Sequence, residues 1–443
     1  MLNFLKIIIM KVKKMYGRIL LILSLFFFVS YGLYAQEISV SGEFRSRAEY
    51  RDGYFKMITK GVDGIGFVIQ RSRLSVRFKN KYLSTKITLQ DARTFGEYNC
   101  TGGTSSDASS LSVFESYIDV FLSKTMDLSL GRQSLSYDDK RIIGDANWCN
   151  TGKLHDLALL KYADGKFQGH FGLAYNNDSI GKKNGLEMLY TLSSNTWYKN
   201  MEYIWLHADW NKNMKTSLLI LNEGLQQNSD TTYNRTTIGG HCYIAEGSFD
   251  VSASAYFQMG KNYSGIKAKG NLISFMLDYT YAPAFKFTFG FDRYSGSNSD
   301  NSKTFSFLYG GAHLYNGYMD YWTPGLPQEG LLDFQGGISG QVKTKFNYVV
   351  TGHTFFTAAD LNRTGSKGNK LGSEVDLKAG YKLFPCAKME GGYCMYFVND
   401  NTKLLKNVSG DTKFAQWGYI SLTVNLDTFY GKLSSGKKKG KYY

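Results

Sequence analysis

The chain is poor in proline, which supplies only four of its 443 residues. Proline cannot donate to a ladder of backbone hydrogen bonds, so its scarcity leaves long stretches free to form β-strands. Phenylalanine, tyrosine and glycine are abundant instead, with 30, 33 and 47 residues. Aromatic residues favour strands and glycine favours turns, so the composition predicts a β-rich protein.

The sequence also lacks the motifs of metal and enzyme chemistry. Its five cysteines form no CxxC pair, and no His/Cys cluster has zinc spacing. No GxSxG motif is present, and the six histidines are scattered without the spacing of a catalytic triad. We therefore predict that the protein is not an enzyme and holds no metal or cofactor. A disulfide between Cys386 and Cys394, which flank a predicted short turn, is left open, as is one between Cys100 and Cys149.

Long apolar runs are missing after residue 36: no uncharged apolar stretch of 18 residues occurs there, which excludes membrane-spanning helices. The one apolar run, ILLILSLFFFV, is shorter and follows a basic segment near the start of the chain. We interpret residues 1–35 as a signal peptide with cleavage after Ala35. Its removal would take away five basic and no acidic residues, lowering the net charge from +15 to +10.

What remains shows a strict period of two. In EFRSRAEYR, residues 43–51, charged residues occupy every odd position and Phe44, Ser46, Ala48 and Tyr50 lie between them. QRSRLSVRFKN and FKFTFGFD alternate in the same way. A two-sheet sandwich also alternates, so this pattern alone does not settle the architecture.

The connections between the predicted strands distinguish the two architectures. Short links are predicted at 80–82, 124–126, 163–166, 211–214, 245–248, 281–284, 343–345 and 384–388. Longer polar loops are predicted at 52–63, 96–112, 137–154, 176–198, 223–232, 260–268, 294–330, 357–370 and 399–412. Short and long connections alternate without exception, which is typical of an outer-membrane β-barrel with tight periplasmic turns and larger external loops.

We therefore predict an all-β protein: one antiparallel transmembrane barrel of 18 strands over residues 36–430, with both ends in the periplasm. Residues 431–443 form a basic tail. The chain would lie in the outer membrane of a Gram-negative cell, in contact with its lipid. Aromatic residues fall on the lipid-facing side, so the positive charge does not indicate a nucleic-acid partner.

The charges of the first strands would then point into the lumen, because Arg or Lys facing lipid at mid-depth costs about 2–4 kcal/mol. The predicted basic wall consists of Arg45, Arg47, Arg51, Arg71, Arg73, Arg77 and Lys86. Such a wall favours anions, since the guanidinium fork binds carboxylate or phosphate at two points. In the alternative, these residues pair with Glu43, Glu49, Glu115 and Asp119 and only brace the wall. Arg93 and Arg132 break the alternation and are expected near the external rim.

Three segments resemble the alginate-export family of outer-membrane barrels, in particular its Bacteroidetes-type relatives. They are LSTKITLQDARTFGE, SLGRQSLSYDDKRIIGDANWCNTGKLHDLALLKY and FLYGGAHLYNGYMDYW. The resemblance implies a monomeric 18-stranded barrel that passes a negatively charged polysaccharide or similar anionic solute, with periplasmic partners for export. It also implies a constriction near Arg93, Arg132, Asp138, Asp139, Lys140, Arg141 and Asp145.

Two alternatives remain for the function of these segments. YDDKRIIGDANW carries both charges, so it either contacts cargo or is an external loop folded inward and held by its own ion pairs. The whole protein is predicted to be a passive channel for anionic solutes. The competing hypothesis is a surface-binding or adhesion barrel whose 294–330 loop closes the lumen.

Overall fold

A computed structural model describes residues 37–59, 61–96, 111–176, 198–227, 231–299, 302–323, 325–410, 412 and 414–431. The predicted signal peptide, Cys100 and all but the first residue of the predicted basic tail lie outside the described residues. Within the described part, no helix is both long and apolar enough to cross a membrane.

The described chain folds into eighteen β-strands. They are β1 Glu37–Asp52, β2 Ile65–Lys79, β3 Leu83–Thr94, β4 Ser112–Phe121, β5 Met126–Gln133, β6 His155–Asp164, β7 Phe167–Tyr175, β8 Asn200–Asp209, β9 Met214–Gln226, β10 Thr232–Glu246, β11 Phe249–Gly260, β12 Asn271–Ala282, β13 Phe285–Tyr294, β14 Leu331–Val342, β15 Phe346–Phe356, β16 Lys370–Phe384, β17 Ala387–Val398 and β18 Phe414–Gly431. Two short helical segments occur in loops: a 3-10 turn at Ala312–Leu314 and α1 at Asp400–Lys406.

Each strand pairs antiparallel with the next, and β1 pairs with β18 to close the barrel. The predicted fold and strand count are confirmed. One rim carries all the short turns together with both ends of the barrel, and the other carries the long loops. The loop predicted at 223–232 is shorter than expected, because β9 and β10 stay paired up to Gln226 and Thr232.

The alternation along each strand separates a lipid face from a lumen face. In β1, the inward residues Arg47 and Glu49 are only 4% exposed. Tyr50, the next residue along the strand, points outward and is 46% exposed. In β13, Phe285, Phe287 and Phe289 are exposed on the outer surface. These apolar side chains contact the hydrocarbon of the membrane, where, unlike in water, apolar surface is favourable.

The alternation of the strands predicted a polar lumen, but the lumen is not polar all round. From β6 to β9 the inward positions that the loops reach are largely apolar and buried, and two buried apolar residues continue this surface on β11 and β12; the set includes Leu157, Leu159, Tyr203, Trp205, Leu219, Leu221, Tyr256 and Leu272. The other buried inward residues of β10 to β13 are mostly polar, for example Thr237, Ser254 and Asp292. These side chains belong to a core formed together with residues of two loops that fold into the barrel. Both faces of β6 to β9 are therefore largely apolar where the loops reach them, one against lipid and the other against protein.

The disulfide between Cys386 and Cys394 is not formed: both cysteines are free, as are Cys149 and Cys242. Cys386 lies in the turn before β17, and Cys394 lies well up that strand, in register with Asp376 and Trp417. An extended strand rises about 3.3 Å per residue, so the two sulfurs are held far beyond bonding distance.

Adjacent residues in the middle of β15 test the assignment of the two faces. Val350 is exposed on the outer surface, and Thr351 points inward in register with Asp376. We expect Val350→Arg to lower the free energy of unfolding from lipid vesicles by about 2–4 kcal/mol, because the guanidinium enters hydrocarbon. Thr351→Arg, measured in the same urea titration, should cost much less. Equal losses would contradict the assignment.

Candidate functional site in the barrel lumen

Two long loops enter the lumen from the external rim and join into one body. The first connects β5 to β6 and spans residues 134–154; the second connects β13 to β14 and spans residues 295–330. The Tyr309 amide donates to Ile142 O at 2.9 Å, and Tyr309 O accepts from the Gly144 amide at 3.0 Å. Gly310 makes this contact possible, since a Cβ there would lie 2.1 Å from Arg141 O.

Apolar burial anchors this body against half of the barrel wall. Ile142, Ile143 and Leu135 of the first loop are buried, as are Phe305, Met319 and Trp322 of the second. They pack in one cluster with the apolar inward residues of the wall. Burying one large apolar side chain contributes about 1.5–3 kcal/mol, so several together hold both loops firmly in the lumen.

The opposite side of the first loop lies against the basic wall of β1 and β2. Arg45 donates to three successive backbone carbonyls, those of Asn147, Trp148 and Cys149, at 2.8, 3.1 and 3.0 Å. Arg71 also donates to Asn147 O and Cys149 O, each at 3.1 Å. Neutral peptide oxygens thus occupy positions where guanidinium groups bind carboxylates most strongly.

Carboxylates neutralise only part of this wall. Glu49 accepts from both Arg47 and Arg51, at 2.7 and 2.8 Å, and Glu43 accepts from Arg71 at 2.5 Å. Arg45 and Arg73 make no ion pair within the described part of the chain. The predicted bracing by ion pairs is therefore realised but incomplete, since two carboxylates are shared by the five guanidinium groups of the upper part of the wall, those of Arg45, Arg47, Arg51, Arg71 and Arg73.

Arg73 has a buried guanidinium nitrogen that lacks a partner among the described residues. Its Nε donates to Gln90 Oε1 at 2.7 Å and its Nη1 to Asn147 Oδ1 at 2.9 Å. Its Nη2 is buried and has no hydrogen-bond partner among the described residues. The guanidinium stacks on Phe114 at 3.6 Å from the ring centroid. A buried charged donor without an acceptor carries a desolvation cost that an anion would relieve.

Further toward the periplasm, the predicted lumen residues form separate contacts. Lys86 pairs with Glu115, and Asp119 pairs with Lys161 of β6 at 3.0 Å. Arg77 donates to the Tyr117 hydroxyl at 3.3 Å. The four predicted residues in this part share the inward alternation of β1 to β4 with the five arginines of the basic wall above them.

The segment YDDKRIIGDANW lies in the first loop and is held inward by ion pairs. Arg141 donates to Asp139 at 3.0 Å and to Asp292 of β13 at 2.8 Å. Lys140 pairs with Asp145 at 3.2 Å, and the Asp138 carboxylate accepts from Trp205 Nε1 at 3.1 Å. Burial raises the pKa of Asp138 above its usual range. The structure thus favours the reading of this segment as an inward-folded loop that its own ion pairs hold in place.

Arg93 and Arg132 do not line the lumen. Each is the second-last residue of a rising strand and lies on the outward alternation, in line with Ile87 of β3 and Leu130 of β5. Arg93 pairs with Asp91 at 2.7 Å, and Arg132 pairs with Asp156 at 2.7 Å. The sequence break in alternation therefore marks the external rim, and their expected place at the constriction is wrong.

An acidic wall lies on β14 and β16, five and three strands from β1 around the barrel, and it was not among the predicted lumen residues. Glu374 and Asp376 of β16 accept from the backbone amides of Met319 and Tyr318, at 2.7 and 3.1 Å. Farther along this wall, Asp333 accepts from His353 Nδ1 at 2.9 Å. The signal was present, because Glu374 and Asp376 have the same two-residue spacing as the arginines of β1.

Aromatic rings fill the space where the two loops meet the basic wall. Trp148 stacks on His313 with centroids 4.5 Å apart, and His313 stacks on Tyr318 at 5.0 Å. The Arg47 guanidinium lies over Trp148 at 4.1 Å, and Trp417 of β18 meets the edge of the stack. These contacts depend on loop folding, so only the inward position of Trp417 was visible in the sequence.

Comparison with known proteins places this architecture among outer-membrane barrels. The model of the alginate export family matches residues 36–324. OpdO of Pseudomonas aeruginosa superposes with a TM-score of 0.61 at 10% identity, covering 90% of this chain and 98% of that one. OpdQ of the same organism gives 0.60 at 12% identity, covering 89% and 98%.

A third solved structure is OpdK of Pseudomonas aeruginosa, determined with vanillate. It superposes with a TM-score of 0.59 at 10% identity and covers 90% of this chain and all of that one. At such identities the likeness shows a shared fold. A search of curated proteins finds no significant match to the sequence.

Arg141 is the ion-pair link between the loop body and the barrel wall, which gives a test of loop anchoring. Arg141→Met would leave Asp292, which is fully buried, without its cation, and we expect a loss of about 3–5 kcal/mol in the free energy of unfolding. Lys140→Met, which removes a half-exposed pair in the same loop, should cost about 0–1 kcal/mol. Urea titration in lipid vesicles measures both. Indistinguishable losses would show that Arg141 does not anchor the loop.

Proposed function

We propose a function for this chain from one established fact: it belongs to the alginate export family. It is an outer-membrane channel protein and not an enzyme. We propose further that it conducts anionic solutes, with acidic polysaccharide or oligosaccharide as the cargo. The observation that carries this proposal is the surplus of guanidinium groups over carboxylates on the inward face of β1 and β2.

We propose that such a solute passes along the basic side of the lumen, by displacing the contacts between the first loop and the arginines. The largely apolar inward side of β6 to β9 is packed against the loops. On the basic side, by contrast, Arg45 and Arg71 hold the loop through carbonyl oxygens alone. A carboxylate binds a guanidinium through two parallel bonds and carries the opposite charge, which a neutral carbonyl does not. A uronate carboxylate can therefore replace these carbonyls on the arginines as it passes.

Two features define the assembly that this function needs. β1 and β18 close the ladder, so the barrel has no unpaired edge strand, and we propose that it works as a monomer embedded in outer-membrane lipid. Export of a polymer would require periplasmic partners to deliver it. The solved OpdK structure contains vanillate, a small aromatic carboxylate, which supports small organic anions as a second class of cargo.

The competing function is a surface-binding barrel with a closed lumen. It is favoured by the extent of burial in the 295–330 loop, where Phe305, Tyr321 and Trp322 are each about 1% exposed. A closed adhesin would show no steady open level in planar bilayers. A conducting channel would show stable steps of current, and this measurement separates the two functions.

The surplus of arginines over carboxylates in the lumen predicts which ions carry the channel current. We expect the wild type to prefer anions in a KCl gradient, and Arg45→Ser with Arg73→Ser to reduce the anion-to-cation permeability ratio several-fold, because both positive charges face the lumen. Arg93→Ser with Arg132→Ser removes the same charge from the outer face and should leave the reversal potential unchanged. A cation preference that the lumen variant does not alter would remove the anion proposal.

Cargo class is tested by swelling of liposomes that contain the protein. Uronate oligomers should enter faster than neutral sugars of matched size, since a carboxylate can exchange between arginines while a neutral ring cannot. The double variant Arg45→Ser with Arg73→Ser should lose most of this difference. Equal rates for both sugars in the wild type would rule out acidic saccharide as the preferred solute.

A further inference from the structure

We propose a second binding site, for the acidic sugar units of the cargo, at the periplasmic mouth of the barrel. This inference rests on the proposed function and specifies where the solute binds outside the constriction. The site is a cavity of about 420 Å³ between the β2–β3 turn, the β4–β5 turn and the start of β1. Ligand pockets usually measure about 300–1,000 Å³, so the cavity can hold a sugar ring.

Three exposed lysines line this cavity from two directions. Lys79 and Lys81 belong to the end of β2 and its turn, and Lys124 belongs to the turn between β4 and β5. None of the three forms an ion pair within the described residues. Lys79 lies 5.9 Å from the ring centroid of Phe121, which also lines the cavity. A carboxylate placed between the two turns would meet ammonium groups on both sides.

The remaining lining residues suit a sugar better than a simple anion. Glu37 and Asp127 also border the cavity, so its charge is only modestly positive. Carboxylates accept hydrogen bonds from sugar hydroxyls, and the Phe121 ring offers an apolar face. An acidic sugar carries a carboxylate, several hydroxyls and an apolar ring face together. An inorganic anion would be attracted by the lysines but would offer no donor to the two acids and no apolar face to Phe121.

The turns that form the cavity are held in place before any ligand binds. Asn80 Oδ1 accepts from the amides of Tyr82 and Leu83, at 2.8 and 2.9 Å. The Phe121 amide donates to Tyr82 O at 2.8 Å, which ties the β2–β3 turn to the end of β4. A preformed site binds more tightly because fewer groups lose freedom on binding.

The cavity lies at the end of a continuous basic track. Along the inward face of β2, Lys79 is followed at two-residue intervals by Arg77, Ser75, Arg73 and Arg71. Lys86 of β3 is in register with Arg77 and adds a second positive charge beside it. At about 3.3 Å per residue, Lys79 and Arg73 are about 20 Å apart along the strand. An acidic oligomer bound at the mouth can therefore extend one end toward the constriction.

The test uses single channels in planar bilayers, with uronate oligomers added to one side at a time. Binding at one mouth predicts that oligomers block the wild-type current more often from that side. The variant Lys79→Ser/Lys81→Ser/Lys124→Ser should lower the blocking frequency from that side several-fold and leave the other side unchanged. The matched control Lys343→Ser/Lys345→Ser/Lys382→Ser removes three exposed lysines elsewhere on the same rim and should keep the wild-type asymmetry.

Several outcomes would overturn this proposal. Equal losses in the two triple variants would show that only the general charge of the rim matters. An unchanged blocking frequency in the first triple variant would show that the cavity binds nothing. Neutral oligosaccharides that block as often as uronates would exclude recognition of carboxylate, and polyphosphate that blocks as often would exclude recognition of the sugar.

The same recordings keep this inference separate from the proposed function. The reversal potential in a KCl gradient depends on the arginines of the constriction, and the first triple variant should leave it on the anion side. If the wild type prefers cations, the proposed function fails whatever the blocking shows. If the channel prefers anions but the first triple variant is still blocked more often from one side, as the wild type is, only the proposed site at the mouth is refuted.

Discussion

Closure of the hydrogen-bonded ladder between β1 and β18 is the constraint on which the rest of the structure depends. Lipid offers no partner for backbone amides and carbonyls, so a sheet can span it only when every strand has two neighbours. Their register, from Ile38 with Gly431 to Asp52 with Gln416, joins the two ends of the described barrel. Once the ladder is closed, each side chain must face either lipid or lumen, and the position of every charge follows from the alternation.

The lumen then needs its own solution, since a wide barrel cannot be filled from its wall alone. The two inward loops fill one side with apolar side chains and meet charged walls on the others. Carbonyls of residues 147–149 accept from arginines of β1 and β2, while amides of residues 318 and 319 donate to Glu374 and Asp376. The first loop thus presents carbonyl oxygens to the basic wall, and the second loop presents amide groups to the acidic wall. These contacts orient both loops without a separate plug domain.

The local rules of strand structure made the fold predictable, whereas the site depends on contacts between distant segments. The two-residue period of EFRSRAEYR fixed the side on which Arg45 and Arg47 lie, and the spacing of short and long links fixed the strand number. Nothing in the sequence near Leu219 or Leu221 distinguishes an inward apolar residue from a lipid-facing one. Their inward packing appears only when residues 142 and 143, about 80 positions earlier in the chain, are placed against that core. The broken alternation correctly predicted that Arg132 lies near the external rim. The family resemblance wrongly predicted that Arg132 lies at the constriction, because a shared motif does not specify which face of the barrel wall a residue occupies.

The charge surplus on the basic wall is hard to explain by stability. Five guanidinium groups that share two carboxylates repel one another, and replacing some of them with neutral polar residues would relieve that repulsion. A wall that only braced the barrel would do so better with matched charges, as Lys86 with Glu115 and Lys161 with Asp119 do lower down. The unmatched charges lie where the first loop narrows the lumen, and there the loop satisfies them only with neutral carbonyls. We infer that the missing negative charge is supplied by whatever passes through the channel, so the same arginines that hold the loop also select the solute.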